Sequence, residues 1–480
     1  MAIQWPPIDW LWGYYRRMGA WYSGDERELR AMAGACEDFW RSDEKIKVHV
    51  PMAADIAALS AGLIFSDAPE IKSEDERTQE RIAEIMEQNG AYALLLQAAE
   101  LASVHGGVFL KWNWAQEYGL PVLSVVPAPF GLPEWAGQKL KRITFYNPVR
   151  EDETSGTRWT MMERYEDDGK IYSSLLRGSG ENLGTEVPLD SIPETAGIEP
   201  EAVSGAGALL AVYVPNLLPN RIRPWQMFGR SDFDGLTGLF DALDEAYSAI
   251  QRETRLTKTT VIVPAEYLRR RDTIFPGEDA VGKTRWVFTN DSGVFTALDI
   301  DTGENTSPIQ VVNPGIQADQ RIALCGELIR RILSMAGYSP QSAGLDISGQ
   351  AESGTALNIR ERKSLRTTET KKTYWWHALN DMVRSGLRLD AAVFKSGANP
   401  EAEISVEMPD NSQPDVSQMA DILERLERAG AVSTQTKVAL LHPDWTPEQV
   451  EEEVGKINME KGVGMDPLDA RMGDMEGGNA

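Results

Sequence analysis

Two amphipathic stretches that flank a β-rich insertion constrain the fold of this chain more than any other feature. In each stretch, apolar residues recur at steps of three and four, the spacing of one face of an α-helix. The first predicts a helix over 232–258, with Ser231 as its N-cap, and the second predicts a helix over 316–336. The apolar stripes are Phe233, Leu236, Leu239, Phe240, Leu243, Tyr247 and Ile250 in the first helix, and Ile322, Cys325, Leu328, Ile329, Ile332 and Leu333 in the second.

The insertion between these helices, residues 259–314, has the β-rich pattern of short strands in TTVIVP, RWVFT, VFTAL and IQVVN. Asn290-Asp-Ser-Gly293 is predicted to be a hairpin loop that joins RWVFT to VFTAL. The chain is therefore expected to run out along one long helix, form a small β module and return along a second long helix.

The remaining segments predict a helix-rich α+β fold. Aromatic residues are dense over 1–50, which indicates a core or a subunit interface. Short β segments separated by Gly, Pro, Asn and Asp cover 105–215 and predict an antiparallel sheet region. A third long helix is predicted over 355–393, and three shorter helices over 412–460. The last of these begins at a capping box, Thr446-Pro-Glu-Gln449.

Composition excludes several classes of protein. The 480 residues carry a formal net charge of −25, whereas a protein that holds DNA by its phosphates needs a basic surface. No run of about 18 apolar residues predicts a membrane span, and the first residues lack the features of a signal peptide, so a cytosolic start is expected. Cys36 and Cys325 lie far apart, which favours a reducing compartment and two small buried side chains.

The segment GEDAVGKT, residues 277–284, matches the phosphate-binding pattern G-x-x-x-x-G-K-[ST]. A working P-loop follows a buried strand and opens a helix, whose N-terminus holds the phosphates. Here a charged segment and Pro276 precede the motif, and RWVFTN after it has the pattern of a strand. Glu278 and Asp279 would also place carboxylates beside the phosphates. We interpret the match as coincidental, with a nucleotide-hydrolysing motor subunit as the alternative function.

No other motif predicts catalysis or a cofactor. The four histidines are isolated in the sequence and have no metal-ligand spacing, and neither H-E-x-x-H nor G-x-S-x-G occurs. The sequence therefore predicts that the chain is not an enzyme and has no catalytic residues, metal or cofactor.

The first half of the third long helix is almost without apolar residues but contains a basic run. This run has two interpretations: contact with nucleic acid, which makes a nucleic-acid-binding protein the second alternative function, or pairing with acidic surfaces of neighbouring subunits. Its members are Arg360, Arg362, Lys363, Arg366, Lys371 and Lys372. Before this helix, the segment from Gly337 to Gly354 is glycine-rich and aperiodic, as functional or disordered loops are.

Several of these segments, in this order, resemble the portal proteins of tailed bacteriophages, in particular of siphophages that infect actinobacteria. The resemblance covers about residues 14–460, and it is the combination of pieces that is specific. The pieces are WYSGDEREL, ADIAALSAGLIFSDAPEI, NRIRPWQMFGRSDFDGLTGLFDALDEAYSAI, AGYSPQSAGLD, ESGTALNIRERKSLRTTETKKTYWW and HPDWTPEQVEEEV.

The resemblance implies a portal fold with wing, stem, clip and crown regions, and it assigns each segment to one of them. The expected boundaries are an N-terminal wing over 1–230, stem helix 1 over 231–258, a clip over 259–314, stem helix 2 over 315–337, a tunnel loop over 338–353, a wing helix and strand over 354–411, crown helices over 412–460 and a disordered tail over 461–480.

The resemblance also implies a function and partners. The expected protein is a dodecameric ring at one capsid vertex of the virion, assembled in the host cytoplasm, through which double-stranded DNA is packaged and ejected without sequence readout. The expected partners are the major capsid protein, the scaffold, the terminase large subunit and then the head–tail adaptor, with no membrane.

The residues that the resemblance assigns to these contacts fall in three sets. The channel set is Gln341, Ser342, Leu345, Asp346, Ile347, Ser348 and Gln350. The clip set, expected to dock partners, is Glu278, Asp279, Lys283, Asn290 and Asp291. The third set is the basic face of the wing helix, formed by the run from Arg360 to Lys372.

Overall fold

The computed structural model describes residues 9–256, 318–345, 354–409 and 423–460, apart from residues 35, 36, 44, 153, 180, 181, 225, 226, 431, 443 and 444. It also describes the backbone of five short strands between 260 and 312. The chain divides into two compact units: residues 1–350 with 359–409, and residues 351–358 with 410–480.

Six helices open the larger unit: α1 (Asp9–Ser23), α2 (Glu26–Met32), α3 (Asp38–Arg41), α4 (Met52–Ile64), α5 (Glu76–Gln88) and α6 (Ala91–His105). Asp25 caps α2, because its carboxylate accepts hydrogen bonds from the amides of Arg27 and Glu28. Helices α4 and α6 are rich in Ala, Leu and Ile and lie packed against each other in the core. Helix α5 is amphipathic and buries Ile82 and Ile85.

The predicted antiparallel region over 105–215 is confirmed, and it forms two sheets. The strands of the first pair in the order β10-β2-β3, where β2 is Gly107–Asn113, β3 is Val122–Pro127 and β10 is Ala211–Pro215. The second is a meander of β4 (Gly131–Ala136), β5 (Lys139–Asp152), β6 (Thr157–Glu166), β7 (Lys170–Ser179) and β8 (Asn182–Val187), with β9 (Glu201–Val203) paired to β7. A separate two-stranded sheet joins β1 (Glu70–Ser73) to β16 (Ile404–Glu407).

The two predicted long helices are present as α7 (Thr237–Leu256) and α8 (Ala318–Ala336), and they pack against each other. Ser231 is not the N-cap of α7, as the sequence predicted. Residues 232–236 form turns, and Gly235 has φ +78°, so the helix begins only at Thr237. The Ser231 hydroxyl instead accepts a hydrogen bond from the amide of Phe233 and donates one to the carbonyl of Ser103.

The segment between α7 and α8 contains β strands, as predicted, but their pairing differs from the prediction. Strand β11 (Thr260–Pro264) lies between β14 (Phe295–Leu298), which is parallel to it, and β15 (Gln310–Val312), which is antiparallel. Strand β13 (Arg285–Val287) pairs with β12 (Arg269–Arg271). In the part of this segment that the structure describes, RWV and FTAL belong to different sheets, so the predicted hairpin between RWVFT and VFTAL is not formed. Residues 290–293 lie outside the described residues.

The third long helix is α9 (Gly354–Leu389), which ends in a π-helical turn at Asp390–Phe394. In the smaller unit, residues 423–428 are helical and precede α10 (Thr434–Leu441) and α11 (Pro447–Glu460). The predicted capping box is confirmed. The Thr446 amide donates to Oε1 of Gln449 at 3.0 Å, and the Gln449 amide donates to Oγ1 of Thr446 at 3.4 Å.

The core of the larger unit is rich in aromatic residues from the N-terminal segment. Tyr14, Tyr15, Trp21, Phe39 and Trp40 are all buried, which confirms the core interpretation for these side chains. Cys325 is a free, buried thiol on α8, as predicted, and Cys36 lies outside the described residues.

Candidate functional site

A buried ion pair joins the turn before α7 to the middle of α9. Nζ of Lys371 lies 2.6 Å from Oδ2 of Asp232, and both side chains are almost fully excluded from solvent. The same carboxylate oxygen accepts hydrogen bonds from Ser103 at 2.6 Å and from Tyr338 at 3.0 Å. Its other oxygen, Oδ1, accepts one from the Asn216 side chain at 2.9 Å. Four donors, from Lys371, Ser103, Tyr338 and Asn216, therefore converge on this one buried carboxylate.

The Lys371 ammonium is also fully paired. Besides Asp232, it donates to Oγ of Ser60 at 2.7 Å and to the hydroxyl oxygen of Tyr338 at 2.9 Å, so each of its protons has an acceptor. Burial lowers the pKa of Lys371, and the attraction of the Asp232 carboxylate opposes that effect. Burial likewise raises the pKa of Tyr338 well above its usual value, so its hydroxyl keeps the proton that it donates to Asp232. We call this group of residues the polar junction.

The polar junction brings together three of the segments that carry the family resemblance. Asp232 comes from GRSDF in the turn before α7, Tyr338 from AGYSPQS after α8, and Lys371 from the TETKKT part of α9. The junction therefore holds both ends of the α7–β module–α8 segment against one side of α9.

The segment that follows α8 is attached to α9 by further hydrogen bonds. The Ser339 amide donates to Oγ of Ser364 at 2.7 Å, and the Ser342 hydroxyl donates to the same oxygen at 2.9 Å. Oγ1 of Thr367 donates to the Gly337 carbonyl at 2.8 Å. Gly337 has φ +102°, and a Cβ there would lie 2.9 Å from Oγ1 of Thr367, so this close approach requires glycine.

These contacts show that residues 337–345, the first part of the predicted loop after α8, are structured. Residues 340–345 form hydrogen-bonded turns, in which the amides of Gly344 and Leu345 donate to the carbonyls of Gln341 and Pro340. Of the predicted channel residues, Gln341, Ser342 and Leu345 are partly buried at this anchored base. Asp346, Ile347, Ser348 and Gln350 lie outside the described residues.

The predicted basic face of α9 is divided by the structure. Arg362 and Arg366 are exposed, and Lys363 donates to the carbonyl and hydroxyl oxygens of Ser334 at the end of α8. Lys371 and Lys372 do not belong to an exposed face, which corrects the prediction, because they are 1% and 4% exposed. Nothing is described for the Arg360 side chain. Apolar periodicity missed the buried side of this half-helix because its members, Ser364, Thr368 and Lys371, are polar.

One signal in the sequence was available for that buried side. Trp375, Leu379 and Met382 form the buried stripe of the second half of α9. Continuing the same helical spacing towards the N-terminus leads to Lys371, Thr368 and Ser364.

A second buried network joins the segment 37–50, which we call the N-terminal strap, to α7. Asp244 accepts hydrogen bonds from Nε1 of Trp40 at 3.0 Å and from the Val50 amide at 2.8 Å, and its Oδ2 lies 2.9 Å from Nδ1 of His49. Asp241, one turn earlier, accepts from the amides of Phe39 and Trp40. Burial raises the pKa of Asp241, and these amide donors oppose the change. The sequence contained no motif for this strap.

The predicted clip residues Glu278, Asp279, Lys283, Asn290 and Asp291 all lie outside the described residues. The residue pattern that argued against a P-loop is confirmed in part, since Arg285–Val287 directly after GEDAVGKT is a strand.

Within the described residues, no group of three or more His, Cys, Asp or Glu side chains is placed to hold a metal ion. No described helix is both long enough and apolar enough to span a membrane.

Comparisons with known proteins place the chain in a family. The model of the family described as "Phage portal protein, SPP1 Gp6-like" matches residues 21–462. A chain from the neck of a native gene transfer agent (GTA) particle, computed with C12 symmetry, is similar, with 11% identity over 91% of this chain and 94% of that chain and a TM-score of 0.43. A chain from the virion of a native GTA particle shows 13% identity over 91% and 94%, with a TM-score of 0.44. No curated protein matches the chain.

Because the family model spans nearly the whole sequence, the chain belongs to the phage portal protein family. Its function is that of a portal protein, the channel for double-stranded DNA at a capsid vertex. The portal family is structural rather than enzymatic, and the comparisons give no support to a motor subunit or to a nucleic-acid-binding protein that uses a basic helix.

Proposed function

We propose that this portal chain assembles into a dodecameric ring at one vertex of the virion capsid, and that α7 and α8 are its two stem helices. The observation that carries the proposal is an apolar stripe that a single subunit leaves in solvent. On α8, Cys325, Ile332 and Leu333 are buried. On another side of the same helix, Leu324 is 51% exposed, Met335 is 55% exposed, and Leu328 between them is partly buried.

A stripe of this kind is typical of a helix that contacts a partner. Leu324, Leu328 and Met335 are four and seven residues apart, so they lie along one side of α8. Arg321 of α8 pairs with Glu253 of α7, which ties the two helices together at the ends next to the β module. An α7–α8 pair that is held together and is apolar on one outer side fits repeated packing around a ring.

Assembly is tested by placing a charge on this stripe. Met335→Glu and Leu324→Glu are expected to shift the purified protein from rings to smaller species in mass photometry or negative-stain electron microscopy. The matched control is Ala323→Glu, which adds the same charge at an exposed position on a different side of α8. Rings from both stripe variants at the yield of the control would refute the assignment of α8 to a subunit interface.

The charge of the chain supports a channel that lets DNA slide. A net charge of −25 per subunit amounts to roughly −300 for a dodecamer, a field that repels phosphate and discourages adhesion of the duplex. In this proposal the segment 338–353 is the tunnel loop, α9 belongs to the wing, and the helices of the smaller unit belong to the crown. The wing contacts the major capsid protein and the scaffold during assembly in the host cytoplasm.

The β module between α7 and α8 is proposed as the clip, which docks the terminase large subunit during packaging and the head–tail adaptor afterwards. Deletion of residues 277–283 is expected to weaken binding of terminase or adaptor while rings still form. Loss of rings in that variant would instead make the segment structural.

The chain itself is proposed to have no enzymatic activity and no cofactor. ATP hydrolysis by the purified ring that disappears in Lys283→Ala would overturn this part of the proposal.

A further inference from the structure

Two neighbouring lysines on α9 are both buried, but they serve different parts of the molecule. Lys371 bonds to Asp232, Tyr338 and Ser60 in the polar junction. Lys372 donates to the carbonyl of Pro409 at 2.5 Å and lies 3.4 Å from Glu369, one turn earlier on α9. Lys371 and Lys372 are therefore adjacent and similarly buried, and of the two only Lys371 has a hydrogen-bond partner, Tyr338, among the described residues 337–345 that follow α8.

The contacts of Lys371 lead directly to the base of the segment proposed as the tunnel loop. Tyr338, to which it donates, is the first residue of that segment. The next residue, Ser339, donates its amide to Ser364 of α9, and Ser342 bonds to Ser364 and Ser339. On α9, Ser364 and Lys371 are seven residues apart, so they lie on the same side of the helix two turns from each other.

We propose that Lys371 is a positioning residue for the tunnel loop: its buried ammonium fixes Tyr338, and through Tyr338 it keeps the loop base seated on α9. The proposal rests on the assignment of residues 338–353 to the tunnel loop. It goes beyond that assignment because it names the residue that sets where the loop leaves the helix.

A charged group at this position fixes the alignment of the helices because its hydrogen bonds depend on direction. Apolar contacts tolerate a helix that slides by part of a turn, whereas hydrogen bonds to an ammonium weaken steeply with distance and angle. If α9 moved by one turn relative to α8, Lys371 would leave Asp232 and become a buried, unpaired charge, which is strongly unfavourable. The polar junction therefore selects one register between α8, the loop base and α9.

Amide hydrogen exchange on the assembled ring tests the proposal with a matched pair of variants, Lys371→Met and Lys372→Met. The diagnostic amides are those of Ser339, Gly344 and Leu345, which donate to Ser364, Gln341 and Pro340. In Lys371→Met, we expect them to exchange at least about tenfold faster, the factor expected when one net hydrogen bond to a charged group is lost. In Lys372→Met, their exchange should stay close to that of the wild type.

A double variant covers the case in which Lys371→Met folds poorly. Asp232→Asn combined with Lys371→Met removes both buried charges, so folding should recover relative to Lys371→Met alone. The loop-base amides should still exchange fast, because Tyr338 has no ammonium partner. If Lys371 had a merely structural role, the double variant would recover folding and slow amide exchange at the loop base together. That pattern, or equal acceleration in the two single lysine variants, would overturn the proposal.

A second measurement separates this proposal from the tunnel-loop assignment on which it rests. Particles that carry Lys371→Met should lose packaged DNA faster than particles that carry Lys372→Met. Fast exchange at the loop base together with normal DNA retention would support the positioning role of Lys371 and overturn the placement of the loop in the channel.

Discussion

Removing the Asp244 carboxylate should release the N-terminal strap from α7. The perturbation is Asp244→Ala, at a side chain that is fully buried and belongs to neither the polar junction nor the exposed stripe of α8. The change takes away the acceptor for the Trp40 indole N–H and the Val50 amide, and the partner of His49. The Trp40 indole is closed to water that could replace the lost oxygen atom, since Trp40 is 1% exposed, whereas His49 and Val50 are only partly buried.

The magnitude follows from the hydrogen bonds that are lost. A bond to a charged acceptor contributes about 1.5–3 kcal/mol net, and a buried donor left without a partner costs about 1–3 kcal/mol. Because the donors share one carboxylate, their contributions are not additive, and we expect a loss of about 4 kcal/mol in the free energy of unfolding. Asp244→Asn keeps one acceptor oxygen and should lose about 2 kcal/mol.

Urea denaturation followed by tryptophan fluorescence gives the free energy of unfolding, and limited proteolysis shows which segment is released. Cleavage within 37–50 should accelerate in Asp244→Ala before the rest of the chain is cut. The control is Glu245→Ala, which removes the same charge from an exposed position next to Asp244 on α7. If Asp244→Ala and Glu245→Ala differ by less than about 1 kcal/mol, the strap is not held by this carboxylate and the reasoning fails.

Three further changes test other parts of the structure. Burial lowers the pKa of His105 from 6.5 to about 4, so the unfolded chain binds this proton before the folded chain does as the pH falls. The wild-type protein should therefore lose roughly 3 kcal/mol of stability between pH 6.5 and 4 that His105→Gln does not lose, as measured by urea unfolding. The same pH slope in both proteins would contradict the burial of His105. In Gly386→Ala, the new Cβ would lie 2.8 Å from the Trp112 ring; we expect a loss of about 2 kcal/mol in thermal unfolding, while Gly326→Ala, with no neighbour closer than 4.0 Å, should lose nothing. Thr446→Ala removes half of the capping box and should cost α11 about 1 kcal/mol, read from faster exchange of the Gln449 amide; unchanged exchange would argue against the cap.

Local rules were sufficient wherever the partner of a residue is close in the sequence. The capping box at Thr446 formed as predicted because both hydrogen bonds lie within one helical turn. Helices α7 and α8 and the second half of α9 were predictable from apolar spacing, and the antiparallel strands over 105–215 from their turn residues. The same rules were wrong at Ser231, where a serine with N-cap chemistry bonds to the distant Ser103 carbonyl and a left-handed Gly235 delays the helix.

Strand pairing in the β module was decided by contacts that no local pattern encodes. RWVFT and VFTAL are adjacent in the sequence and flank a turn-rich segment, so a hairpin was the simplest expectation. Strand β14 pairs in parallel with β11 instead, and β13 pairs with β12. Pairing depends on which strands the module brings side by side, and that is a property of the whole segment.

The sequence by itself determined the classes of element, their order along the chain, the acidic charge and the family. From the sequence, the whole basic run of α9 was expected on one exposed face of the helix, because charged residues are usually exposed. Only the tertiary structure decided that Lys371 and Lys372 are interior and that Lys371 meets Asp232 and Tyr338, which are 139 and 33 residues away in the sequence. A lysine enters the core only where acceptors converge on it, and that convergence exists only after α4, α7, α8 and α9 have packed together.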